Sequence, residues 1–137
     1  MSDFIKWTCS LLCAFAGFLF GGLDGLLKAL LVFMILDCIT GIALSIAKGK
    51  GLSSRIGYAG FLKKGLILII VVVANILDTW VLGIGSSACR NTVIGFYIAN
   101  EGISILENVG KAGMPLPKSL KKALEQLKEG DDDGKPE

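Results

Sequence analysis

Four long apolar stretches constrain this chain more than anything else in it. Residues 7–23 (WTCSLLCAFAGFLFGGL) carry no charge. Residues 29–47 hold one, Asp37, and residues 65–83 (GLILIIVVVANILDTWVLG) hold one, Asp78. Residues 89–107 hold Arg90 near the start, Glu101 inside and Glu107 at the end. At about 1.5 Å of rise per residue, each stretch is near the roughly 20 residues needed to cross a hydrocarbon core. Hydrophobic residues make up 53% of the 137. The polar residues left over, between 48 and 64 and beyond 107, are too few to cover four buried helices in water. The expected fold is therefore an all-α integral membrane protein, a bundle of about four transmembrane helices with a short amphipathic C-terminal helix.

The charges set the organisation. A transmembrane domain over 1–110 has expected spans at about 7–25, 29–47, 65–83 and 89–107, and a polar tail covers 111–137. Asp24 and Lys28 mark the first turn, and GSS at 85–87 marks the last. Between the second and third spans, the loop 48–64 carries Lys48, Lys50, Arg55, Lys63 and Lys64 and no acid. Excess Lys and Arg mark the cytoplasmic side, where they meet anionic lipid headgroups. Four spans then put both termini in the cytoplasm, in a multi-pass membrane protein. A three-span arrangement, with the first helix at the interface, puts the N-terminus on the other side. The apolar N-terminal segment is too short before its Ala14-Phe15-Ala16 site to read as a cleaved signal peptide, so it is expected to stay as a helix. In the tail, Pro115 and Pro117 stop the fourth helix. Leu120, Ala123, Leu124 and Leu127 then recur at helical spacing opposite Lys118, Lys121, Lys122 and Glu125. Disorder is expected from about residue 130.

No enzyme, cofactor or metal site is expected. The chain has no histidine, and Cys9, Cys13 and Cys38 lie inside expected spans, where they act as small apolar residues. There is no GxSxG and no phosphate-binding GxxxxGK[ST] loop. The basic loop is explained by membrane sidedness, so no nucleic-acid partner is expected.

Two features can carry function. Cys9, Cys13, Gly17, Gly21 and Gly25 are spaced by four, one inclined row of small residues on a helix. Such a row lets another backbone approach closely, either within the chain or between subunits of a homo-oligomer. The second feature is acid at membrane depth: Asp37, Asp78 and Glu101. A charge at the bilayer centre costs about 2.5–3.5 kcal/mol on insertion scales, and no Lys or Arg is expected equally deep. Protonation, which burial favours for a carboxyl, hydrogen-bonding neighbours such as Thr40, Asn75 and Asn100, an interhelical pair of Arg90 with Asp78, or water are the expected ways to satisfy these acids.

The chain resembles the toxin-secretion and phage-lysis holins of Gram-positive bacteria and their phages. The resemblance rests on Asp37-Cys-Ile-Thr40-Gly41, on "SSRIGYAGFLKK", on Asp78, and on "YIANEGISILENVGKAGMPLP" with Asn100, Glu101, Glu107, Asn108, Gly110, Pro115 and Pro117. It covers roughly residues 33–129. It implies a small membrane protein that oligomerises into lesions, so that an endolysin or a toxin can cross. A small ion channel or proton-coupled transporter subunit is the competing expectation, since acids in membrane helices suit that class too. A structural membrane partner that binds another protein through the tail is a third.

Overall fold

The computed structural model describes residues 1–49, 51, 54–83 and 85–129. Lys50 and the expected disorder from residue 130 lie outside the described residues. Those described form an all-α fold: α1 (Ser2–Phe20), α2 (Gly25–Ala47), α3 (Ser54–Ile76), α4 (Ala88–Lys111) and α5 (Lys118–Glu129). Past Ile76, α3 widens into a π-helical stretch, Leu77–Leu82, and stops at Gly83 in left-handed backbone. Three segments are long and apolar enough to cross a membrane: Ser2–Phe20, Gly25–Ala47 and Gly57–Leu82. At 24 residues α4 is also long, but it carries more charge.

The boundaries correct two expectations. Because α3 begins at Ser54, most of what reads as a basic loop over 48–64 is helix, and Arg55, Lys63 and Lys64 belong to it. A run of positive charge marks sidedness, not chain shape. At the other end, α1 stops at Phe20. Gly21 (φ 73°) and Gly22 (φ 99°) take left-handed backbone, and the Gly22 N–H closes on the Gly17 carbonyl at 2.8 Å, a common glycine stop. Gly25 then opens α2, whose first turn is capped by Asp24 Oδ1 accepting from the Leu27 N–H at 2.9 Å. The small-residue row is therefore broken after Gly17.

α2, α3 and α4 form the bundle. α2 and α4 run parallel, and α3 returns between the same two ends. Leu27, Leu30 and Met34 of α2 meet Ile67 and Val71 of α3 and Ile94 of α4, each helix contributing one face at three- and four-residue spacing. The outer surface is apolar as well: Val32, Ile35 and Ile39 on α2, and Leu66, Ile69, Val73 and Trp80 on α3 and its extension, are exposed. The interior, by contrast, holds Asn75, Asp78, Arg90 and Glu101. Apolar outside with paired polar groups inside is the arrangement that suits hydrocarbon as solvent. No residue of α1 is buried. It meets α3 only near its own C-terminus, where the Phe18 and Trp80 rings lie 5.6 Å apart.

Gly21 is the joint of that attachment. A Cβ there would run into Asn75 Oδ1 and approach Arg90 Nε, in a backbone that costs an L-residue about 1–2 kcal/mol. Gly21→Ala is expected to loosen α1 and lower the thermal unfolding midpoint in detergent. Gly17→Ala, which meets nothing within 4 Å, should leave that midpoint unchanged.

Candidate functional site: two polar clusters inside the bundle

The first cluster lies where α1 ends, α2 begins and α4 begins. Arg90, only 1% exposed, spends all five N–H donors there. Its Nη1 and Nη2 reach Asp24 Oδ2 and Oδ1 at 2.7 and 3.1 Å, a bidentate pair. Its Nε donates to the Phe20 carbonyl, Nη2 also to the Gly22 carbonyl at 3.1 Å, and Nη1 also to Asn91 Oδ1 at 3.2 Å. The carbonyls left open at the end of α1 are thus met by a guanidinium on another helix. Asn75 Nδ2 adds donations to Phe18 and Leu19 carbonyls at 3.3 and 2.9 Å.

Asp78 does not pair with the Arg90 side chain, as the sequence suggested it could. Its carboxylate accepts the backbone N–H groups of Cys89 (3.1 Å) and Arg90 (2.8 Å). Ser87 makes no side-chain cap, so an acid from the π-helical end of α3 caps α4 in its place, where the helix dipole favours negative charge. The wider turn carries Thr79 as well, whose hydroxyl donates to the Asn75 carbonyl at 2.7 Å.

The second cluster lies roughly 16 Å further along α4, about half the thickness of a hydrocarbon core. Here Lys64 Nζ donates to Asp37 Oδ2 at 2.9 Å and to Glu101 Oε2. Asn108 Nδ2 donates to Asp37 Oδ1 at 3.3 Å and to Thr40 Oγ1 at 3.2 Å. The Thr40 hydroxyl itself donates back to the Leu36 and Asp37 carbonyls. One ammonium from α3 therefore joins acids from α2 and α4.

This overturns the expectation that no cation lies as deep as the acids, and it moves Lys64 from the headgroup level into the bundle. The physical reason is the helical continuation of α3. From Lys64, steps of three and four reach Ile67, Val71, Ala74 or Asn75, and Asp78, all buried, so Lys64 sits on the inner stripe. That spacing was available in the sequence, hidden by treating the cation as loop. Asn108 could have been found in the same way, since seven residues after Glu101 is the same face of α4. Asp24 was legible as an acid just before an apolar run, a helix cap. Of the other expected site residues, Asn100 is half-buried and joins neither cluster among the described hydrogen bonds. Cys9 and Cys13 are exposed. Lys48 is exposed where α2 stops, and Lys63 is exposed on α3 at about the level of the second cluster, one residue before Lys64.

Chemically, the two clusters hold charge; they do not attack or transfer anything. Among the described residues no group of three or more His, Cys, Asp or Glu could hold a metal ion. Removing one partner of a buried ion pair costs about 3–5 kcal/mol, whereas replacing the whole set by apolar residues is often neutral. Lys64→Met alone is thus expected to destabilise the protein in detergent by roughly that amount, and Asp37→Leu/Lys64→Met/Glu101→Leu to recover most of it, as read by thermal unfolding. At the other cluster, the guanidinium of Arg90 and then the Leu27 N–H hold the Asp24 carboxyl below its ordinary value of 3.8. A lowered pKa contributes stability that is present above the ordinary value and is lost as pH falls through the lowered one. Wild type should therefore unfold at a higher temperature than Asp24→Asn at neutral pH, and the two midpoints should converge below pH 3.8.

Curated relatives match nearly the whole chain. An uncharacterized 14.9 kDa protein of Clostridium perfringens is 46% identical over 125 residues, 91% of this chain and 93% of the relative. An uncharacterized protein of Halalkalibacterium halodurans is 37% identical over 131 residues, 93% of this chain and 96% of the relative. A protein of Bacillus phage phi105 described as a probable holin is 39% identical over 111 residues, 81% of this chain and 79% of the relative. No solved structure matches. The bacteriophage holin family covers residues 14–129, a range that includes both polar clusters and all of α2 to α5. On that match the chain belongs to the bacteriophage holin family, whose members form pores and are not enzymes.

Proposed function

We propose that the chain opens lesions in a bacterial cytoplasmic membrane, through which an endolysin or a toxin reaches the cell wall. The observation that carries this reading is the Asp37–Lys64–Glu101 cluster, ionisable groups satisfied by one another inside a bundle with an apolar exterior. In the dormant subunit the charges face inward and the lipid meets only hydrocarbon. When subunits rearrange so that water reaches the cluster, the acids and the lysine no longer need each other, and the same side chains can line a hydrated opening. Separating them moves charge within the membrane, and a charge moved across it is worth about 2.3 kcal/mol per 100 mV. Opening is therefore sensitive to membrane energisation.

In this reading α4 is the fourth span. Its charges are compatible with that role, because Arg90 and Glu101 are buried with partners and Glu107 and Lys111 sit near its last turn. Both termini are cytoplasmic, on the side of Lys48, Lys63, Lys111 and the lysines of α5. The row of Cys9 and Cys13, both exposed, and half-buried Gly17 on α1 serves contact between subunits, without Gly21, whose surroundings are filled by Asn75 and Arg90.

The test is co-expression with an endolysin, following culture turbidity and enzyme activity outside the cells. A holin gives abrupt loss of turbidity and escape of the folded enzyme. Selective flux of one solute with viable cells would point instead to a channel or transporter subunit. At matched expression, Lys64→Gln, Asp37→Asn and Glu101→Gln are each expected to shift the onset of lysis. Unchanged timing in all three, and in the triple variant, would remove the cluster from the mechanism.

A further inference from the structure

We infer a binding cleft for one anionic phospholipid between the end of α4 and α5. Ile103, Leu106 and Gly110 of α4 face Leu116 across a cavity of about 300 Å³ that Lys111, Lys121 and one acid, Glu107, also line, two cations to one anion. A Cβ added at Gly110 would lie 3.2 Å from Leu116 Cδ1, so the glycine keeps the floor of the cleft close to the α4 backbone. The two lysines have only weak company. Lys111 lies 3.6 Å from Glu107 and Lys121 3.8 Å from Glu125, both exposed pairs within one helix, a kind worth little.

The chemistry selects among occupants. A free inorganic anion has no use for the apolar wall. A helix of a second copy is about 10–12 Å across with its side chains, too wide for a cavity of this volume. A phospholipid uses both parts, an acyl chain along Ile103, Leu106 and Leu116, and a phosphate between Lys111 and Lys121. The cleft lies at the end of the bundle where Lys48, Lys118 and Lys122 are also exposed, and basic pockets at the cytoplasmic end of membrane helices take anionic headgroups. The inference rests on the orientation proposed above and does not depend on lesion formation.

The experiment is native mass spectrometry of the full chain, released into detergent from vesicles of equal phosphatidylglycerol and phosphatidylcholine. Retention of phosphatidylglycerol over phosphatidylcholine is expected. The Lys111→Gln/Lys121→Gln variant should retain about thirtyfold less, and Lys63→Gln, away from the cleft, should retain as much as wild type. Leu116→Asn should also lower retention, since the apolar wall is part of the site. Circular dichroism of each variant confirms that the helices are intact. Equal retention of the two lipids, unchanged retention in the double lysine variant, or displacement of the lipid by inorganic phosphate would overturn the assignment. Lysis is not read, so a failure of the holin mechanism leaves this result standing.

Discussion

The Lys64 ammonium, held between the carboxylates of Asp37 and Glu101, ties three helices together at one level. Packing alone would not do this. In hydrocarbon there is no hydrophobic force between apolar helices, because the lipid is as apolar as leucine. The bundle gains definition from groups the lipid cannot accept. Each acid, placed alone, opposes insertion; placed beside a lysine from α3, and for Asp37 also an asparagine from α4, it specifies which helices meet and in what register.

The same logic acts at the other end through different groups. There the need is backbone satisfaction: α1 ends with open carbonyls and α4 begins with open N–H groups. Arg90 and Asn75 serve the carbonyls, and Asp78 serves the N–H groups. The outcome is an asymmetric molecule. α2, α3 and α4 form a cross-linked core, and α1 hangs from it by one polar joint with none of its own residues buried. A subunit of this kind can change its contacts through α1 without dismantling its core.

Much of this was legible in the residues. The apolar stretches announced helices, the depth of Asp37 and Glu101 marked them as functional candidates, and Asn108 and Gly110 stood in the motif that carries the family resemblance. What misled was local reading of charge. Lys64 follows Lys63 in a basic run, and such runs ordinarily sit at the membrane surface. Helical phase, not composition, turned one of the two inward, and Lys63 stayed outside. Gly21 and Gly25 misled in the opposite way. Regular spacing suggested one ridge, but two consecutive left-handed glycines ended the helix between them.

The sequence by itself determined the solvent and the class. Three nearly uncharged apolar stretches and a fourth more charged one, with so little polar cover, suit hydrocarbon as solvent, because hydrophobic burial scales with area and is indifferent to detail. Which acid met which cation was a different matter. Hydrogen bonds and ion pairs are directional and short, so their partners depend on the rotation of each helix to within a fraction of a turn. Only the tertiary structure decided that Lys64 belongs to Asp37 and Glu101, that Arg90 belongs to Asp24, and that Asp78 caps a helix it is not part of.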